Sequence, residues 1–395
     1  MGKPSKNEWA ARFALDSVPG IGCRLQKRLF DAYGSAEAIL SASRSPKMKV
    51  DGMGKAKVLA LRRIEADRPV LEGHAFSRLS SPGSAISVDS MIGYPDAEYA
   101  KMLKEIDDPP PFLWFKGDLA SLVAPCVAIV GTRRASDYGR RTAYRLAFDL
   151  ATAGVTVVSG LAYGIDRAAH EGALDAGGLT VAVLGSGLGQ VYPRGHRSLA
   201  SKITESGCLL SEFGPDTLPE PQHFPQRNRI ISGLSNATIV VEAFEKAGAL
   251  ITAGFCIDQK RELYAVPGRI DEETSRGTNA LIASCAAQLL FSSAQVLVDL
   301  EGTKVLAHHQ VEKDPLGQRL KHQMIEPHAS IPRPKMEQDI LDTLMASSKH
   351  IDDLDAALEF PGPELWSTIL KLECDGEIRA LEGNRYERVK RGLFG

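Results

Sequence analysis

The chain has 395 residues, enough for two or three domains, and its 44% hydrophobic and 24% charged content is ordinary for a globular protein. A formal net charge of −2 excludes a global basic field, so any contact with a polyanion must come from a local patch. No apolar run reaches the roughly 18 residues of a membrane span, and Met1 to Trp9 holds no signal-peptide core, so no membrane partner is expected.

Residues 8 to about 70 read as short helices. Ser17 to Phe30 and Val50 to Leu61 share one pattern: a turn, Gly-x-Gly, then a helix with early basic residues. The pattern resembles the helix-hairpin-helix of nonspecific DNA-binding proteins, whose hairpin N–H groups touch phosphate. Gly20, Gly22, Gly52 and Gly54 serve equally well as plain tight turns between helices. From Gly93-Tyr94-Pro95 a segment with a helical look runs to Asp107, where Pro109-Pro110-Pro111 break it. Phe112 to Lys116 then reads as a strand or edge segment ending at Gly117.

From Cys126 to Leu290, short apolar runs and helical segments alternate. The expected strands are 126–130, 155–159, 179–184, 208–211, 237–242, 262–266 and 287–291. The expected helices lie near 137–153, 163–176, 196–206, 225–235, 248–259 and 277–284. Such alternation predicts an α/β fold with a doubly wound parallel sheet. Ligands of such sheets bind at the carboxyl ends of the strands. Residues 298 to 334 hold His308-His309 and scattered prolines with little periodicity, which reads as a linker. From Met336, three helices and a strand–turn–strand (Glu377 to Arg388) form a winged helix. Its acidity (Asp352, Asp353, Asp355, Glu359, Glu364) favours a protein contact or dimer surface over a DNA-reading helix. The six cysteines have no C-x-x-C pair and no histidine at metal spacing, so buried free thiols and no metal are expected.

The strand-end turns carry the candidate chemistry. Gly131-Thr132-Arg133 ends the first strand with a cation whose planar fork suits phosphate, and Ser136 or Asp137 caps the helix that follows. Ser159-Gly160 ends the second, followed by Tyr163, which either stacks on a base or lies against its own helix. Asp166 reads as a cap or an arginine partner and His170 as structural. Gly185, Gly187 and Gly189 have G-x-G-x-G spacing, and Glu212 ends the next strand, so NAD is not excluded. Phe224 to Arg229 brings Arg227, Asn228 and Arg229 to a helix start. Cations there oppose the helix dipole unless an anion arrives. Glu242 ends a further strand and is a thin basis for an enzyme. No Ser-His-Asp order, paired carboxylates or Walker A sequence is present.

Taken together, I-V-G-T-R (129–133), S-G-L-A-Y-G-I-D-R-A-A-H (159–170), V-L-G-S-G-L-G-Q-V-Y-P (183–193), S-E-F (211–213), F-P-Q-R-N-R-I-I (224–231), V-V-E-A (240–243), L-I-T-A (250–253) and A-V-P-G (265–268) closely resemble the DNA-processing protein A family, DprA, also called Smf. The resemblance implies an extended Rossmann-like domain over residues 76–297. It also implies an N-terminal helix-hairpin-helix or SAM-like domain over 1–75, a linker over 298–334 and a winged helix over 335–395. It further implies a cytoplasmic dimer, formed through the Rossmann domain, that binds single-stranded DNA during natural transformation, protects it and loads RecA recombinase. No nucleotide cofactor and no enzymatic activity are implied. The family's site residues carry over as Arg133, Arg227 and Arg229 and the Ser159-Gly160 turn; Gly131, Thr132 and Asn228 stand beside them as expected contacts, and Tyr163 or Phe224 is expected to stack a base. Two departures stand out: Ala247 and Ala249 replace two usual serines, and Cys285-Ala286 replaces a usual Gly-Ala. The rival reading is a nucleotide enzyme of the phosphoribohydrolase-like Rossmann group, with Glu242 assisting cleavage; its P-G-G-x-G-T-x-x-E signature is missing.

Overall fold

A computed structural model describes residues 4–45, 48–66, 90–302, 335–344, 348–358, 365, 368–369, 372, 377–381 and 385–388. The chain divides into two compact units, Met1–Glu312 and Lys313–Gly395. No described helix is long and apolar enough to cross a membrane.

The described residues of the first unit form a nine-stranded sheet. Its strands are β1 (Met91–Gly93), β2 (Phe112–Gly117), β3 (Cys126–Val130), β4 (Thr156–Ser159), β5 (Thr180–Val183), β6 (Cys208–Ser211), β7 (Ala237–Val240), β8 (Glu262–Ala265) and β9 (Gln288–Leu289). Their order is β1-β2-β6-β5-β4-β3-β7-β8-β9. From β6 across to β9 every neighbouring pair is parallel, whereas β2 runs antiparallel to both β1 and β6. The apolar runs are strands because each is buried on both faces. In β3, Cys126, Ala128 and Val130 face one core and Val127 and Ile129 the other, the two-residue alternation of a strand. The helices Lys101–Glu105, His223–Leu234 and Gly248–Asp258 cover the first face. Asp137–Thr152, Ile165–Asp175 and Ser293–Gly302 cover the second.

The chain leaves β3 outward through β4, β5 and β6, then returns to β7 on the other side of β3. The winding reverses between β3 and β7, and a crevice opens there beyond their carboxyl ends. Expected and observed elements of this sheet agree within a few residues. β2 is the expected strand ending at Gly117, and it sits inside the sheet rather than at its edge, because the prolines end just before it and β1 covers its outer side. β1 ends at Gly93, where the segment of helical look begins, and that segment holds the Lys101–Glu105 helix. The expected linker also begins too early, since the Ser293–Gly302 helix packs Val296 and Leu300 into the core.

Before the sheet stand the helices Lys6–Asp16, Cys23–Tyr33, Ala36–Ala42 and Lys55–Ala66. Gly20 and Gly52 adopt φ of +80° and +88°, the left-handed region that glycine tolerates. Each turn lies against the other repeat: a Cβ on Gly20 would stand 3.5 Å from Lys57 Cε, and one on Gly52 3.5 Å from Leu25 Cδ1. Buried Arg12 pins these helices to the sheet. It donates to both Asp96 oxygens, at 2.8 and 2.6 Å, and to Glu8 at 3.0 Å. Glu8 in turn accepts the N–H groups of Ala36 and Glu37 at 2.9 and 3.1 Å, serving the start of the third helix.

In the second unit, helices Lys335–Thr343 and Ile351–Leu358 accompany an antiparallel sheet of Lys349–His350 (β10), Ile378–Leu381 (β11) and Arg385–Arg388 (β12), ordered β10-β12-β11. Ile340, Leu354, Leu365, Ile369 and Tyr386 share its core. Most of the expected third helix and the Gly383-Asn384 turn lie outside the described residues.

Candidate functional site

The crevice between β3 and β7 is a cleft of about 730 Å³. Its floor is the turn after β3. Thr132 fixes that turn on three sides. Its N–H donates to Glu242 O at 2.8 Å, its carbonyl accepts from Ile165 N–H at 3.3 Å, and its hydroxyl accepts from Arg134 N–H at 3.2 Å. Gly131 is required for this closeness, because a Cβ would stand 2.5 Å from Ile165 Cγ1 and 2.9 Å from Glu242 O. A turn so held throws Arg133 and Arg134 outward, both exposed.

Each arginine lies over an aromatic ring. The Arg133 guanidinium is 5.1 Å from the centre of Phe224, and that of Arg134 is 5.2 Å from Phe244. Such stacking holds a cation in place while leaving its N–H groups free at the rim. Tyr192, 43% exposed, places its ring 5.7 Å from Phe224 on the same wall. The opposite wall is the start of the Gly248–Asp258 helix, with Lys246 just before it. That helix start has neither a side-chain cap nor an acid in its first turn. Its free N–H groups and dipole therefore present positive potential to the cleft. Arg133, Arg134, Arg227 and Lys246 line the space, with Asp166 the one acid among the lining residues. A cationic, aromatic-walled cleft at a strand-order switch suits a phosphate-bearing chain.

The family model for DNA recombination-mediator protein A matches residues 90–301, the whole described sheet. The chain belongs to this family. It is 31% identical to Protein Smf of Synechocystis over 97% of this chain and 100% of that one. It is 42% identical to the DNA processing protein DprA of Streptococcus pneumoniae over 50% of this chain and 70% of that one. The X-ray structure of DprA from Streptococcus pneumoniae superimposes with a TM-score of 0.62 at 30% identity, covering 75% of this chain and 99% of that chain.

The structure parts the DprA-motif residues into two groups. Arg133, Phe224 and Asn228 meet in the cleft, joined by Arg134, Tyr192, Phe244 and Lys246. Arg227 and Arg229 are each only 4% exposed. Arg227 Nη1 donates to the carbonyls of Gly160, at 2.8 Å, and Val183. A Cβ on Gly160 would stand 2.7 Å from both Arg227 Nη atoms and from Asp166 Oδ2, so cation and carboxylate face each other across that glycine. Burial pushes the Arg227 guanidinium down to about 10, against the pull of Asp166, so it stays charged at neutral pH. Burial likewise raises the Asp166 carboxyl, opposed by Arg227 and by the N–H groups of Ala162 and Gly160. Arg229 is held by Glu212 and, at 3.7 Å, by Asp108. The expectation that these two cations await an outside anion is therefore corrected: the protein supplies their partners itself.

The Ser159-Gly160 turn is also closed. Ser159 Oγ donates to Ile129 O at 2.7 Å, while the N–H groups of Gly160 and Ala162 donate to Asp166 at 3.1 and 3.3 Å. Tyr163 is 49% exposed but does not line the cleft; its ring stands edge-on to His196 at 4.6 Å. His170 is structural as expected, with Nδ1 2.7 Å from Thr180 Oγ1. Ser136 caps the Asp137–Thr152 helix, accepting from Gly139 N–H at 3.0 Å.

The features that favoured other readings are spent on packing. Gly187 and Gly189 donate to Thr217 O and Pro215 O at 2.9 and 3.0 Å, and Glu212, the acid for a ribose, is taken by Arg229. Glu242 is 2% exposed and does not line the cleft. It accepts from Ser136 N–H at 2.9 Å, from the Ser136 hydroxyl and from the Thr274 hydroxyl at 3.4 Å. Among the described residues, no group of three or more His, Cys, Asp or Glu could hold a metal ion. Sequence reading missed Phe244 and Lys246; their signal was an aromatic and a cation within six residues of the end of β7.

Proposed function

We propose that this chain binds single-stranded DNA without sequence preference in the β3–β7 cleft and is not an enzyme. Arg133, mounted on Phe224 and facing an uncapped helix start, is the observation that carries the reading. Phosphates would lie on Arg133, Arg134, Lys246 and the first N–H groups of the Gly248–Asp258 helix, with Asn228 beside them. Phe224 or Tyr192 would stack a base inside the cleft, and Tyr163 a base beyond its rim. Arg227, Arg229, Ser159 and Gly160 then act as positioning residues that hold the floor and wall. Ala247 and Ala249 leave the helix-start N–H groups without hydroxyl competition, which favours a backbone contact there.

Membership of the DprA family supports a role in processing DNA during transformation. Loading of RecA recombinase and a homodimer formed through the Rossmann-like domain, in the cytoplasm, complete the proposal. Exposed Phe291 beside the short end strand β9 offers an apolar patch for such a dimer. The second unit is proposed as a winged helix that contacts protein, and the N-terminal helices as a helix-hairpin-helix pair. Glu242 gives the phosphoribohydrolase alternative no catalytic group at the cleft.

Fluorescence anisotropy with labelled single-stranded and duplex oligonucleotides at two salt concentrations tests the cleft. The expected result is tighter, salt-weakened binding to the single strand, reduced alike on all sequences by Arg133→Ala. Unchanged single-strand affinity in Arg133→Ala would remove the cleft from consideration.

A further inference from the structure

The cleft does not end the run of exposed cations. Arg134 lines it, and beyond Arg134 the Asp137–Thr152 helix carries Tyr138, Arg141 and Arg145. Spacings of three and four residues put these three side chains on one helix face. All three are exposed, and the Tyr138 hydroxyl donates to Pro267 O at 3.3 Å, which steadies its ring near the strand ends. Arg140 points elsewhere and is spent on Asp137 and Ala135 O.

Arg141 and Arg145 have no ion pair among the described residues. Acids of this helix and of the Ile165–Asp175 helix have partners of their own: Glu171 with Arg167, Asp175 with the Tyr144 hydroxyl at 2.8 Å, and Asp149 with the Ser293 hydroxyl at 2.9 Å. Like charges four residues apart weaken a helix, so Arg141 and Arg145 repel each other until an anion lies across them.

We propose that this face is a second DNA-contact surface, onto which the strand runs as it leaves the cleft. Its phosphates lie on Arg141 and Arg145, with Tyr138 under a base between cleft and helix. The proposal rests on the cleft reading above. Tyr138 to Arg145 spans about 10 Å of helix axis, long enough to lie along more than one nucleotide of a strand.

The test uses the full chain and oligo-dT of increasing length, with Arg133→Ala and the double variant Arg141→Ala/Arg145→Ala. The double variant should match the parent on oligonucleotides that fill only the cleft and bind long ones about tenfold more weakly. Its slope of log K against log salt on long strands should be shallower by about 1.4, two contacts at about 0.7 each. Arg141→Lys/Arg145→Lys should restore both. Parent-like affinity and slope of the double variant on long strands, beside a loss in Arg133→Ala at every length, would overturn the surface and leave the cleft standing. Parent-like binding by Arg133→Ala at every length would overturn the cleft itself. A change of oligomeric state in the double variant would assign the face to a subunit contact instead.

Discussion

Replacing Glu242 by glutamine separates a structural carboxylate from a catalytic one. Its oxygens receive one backbone N–H and two hydroxyls in a buried site. Glutamine presents an amide donor where one of those donors must be accepted. One charge-assisted bond is lost, about 1.5–3 kcal/mol, together with a favourable charge beside the start of the Asp137–Thr152 helix, about 0.3–1 kcal/mol. The sum is about 3 kcal/mol, a fall in Tm of roughly 6–12 °C for a domain of this size. Thermal unfolding by calorimetry measures it, and single-strand anisotropy and release of free base from AMP run alongside. DNA affinity of the folded variant should stay within about twofold of the parent. Gly139→Ala offers an internal check, because its methyl group would overlap the same carboxylate. Gly139→Ala combined with Glu242→Ala should cost less than the two separately. A Glu242→Gln protein as stable as the parent but altered in DNA binding or base release would refute this account and return the carboxylate to the cleft.

Phe224→Ala should weaken single-strand binding by about 1–3 kcal/mol, roughly 5- to 150-fold in Kd, whereas Phe224→Trp should retain it. Asp96→Ala leaves the buried Arg12 guanidinium with Glu8 alone, and urea unfolding should show a loss of about 3–5 kcal/mol. His170 is buried as the neutral ring, its pKa lowered to about 3 chiefly by burial and then by His196 and Arg227. Its unfolded form takes up a proton below pH 6.5, so stability is intact above that pH and falls as the solution is acidified. Between pH 6.5 and 5 this group accounts for about 2 kcal/mol, and the stability profile of His170→Gln should be flatter by that amount.

The alternation of apolar strands and amphipathic helices was legible because it is local: each buried strand is a continuous run of four or five residues. The glycines and hydroxyls at the strand ends were legible too, but their use was not. Arg227 and Arg229 look identical as letters. Only the fold brings Val183, Gly160, Glu212 and Asp108 to them from 17 to 121 positions away. Ser159 likewise reads as an exposed hydroxyl until β3 places Ile129 O beside it. β1 escaped notice because three residues carry no periodicity, and it exists only by pairing with β2.

Arg227 and Arg229 together stitch the ends of β4, β5 and β6 to the helix that forms the cleft wall. A wall fastened at three strand ends does not yield when a ligand arrives. On the function proposed above, the conformational cost of binding would fall on the nucleic acid, which must surrender its freedom to a fixed template. Strands already stacked in solution and strands that are not should therefore differ in binding enthalpy and entropy, while the protein backbone keeps one shape in both complexes.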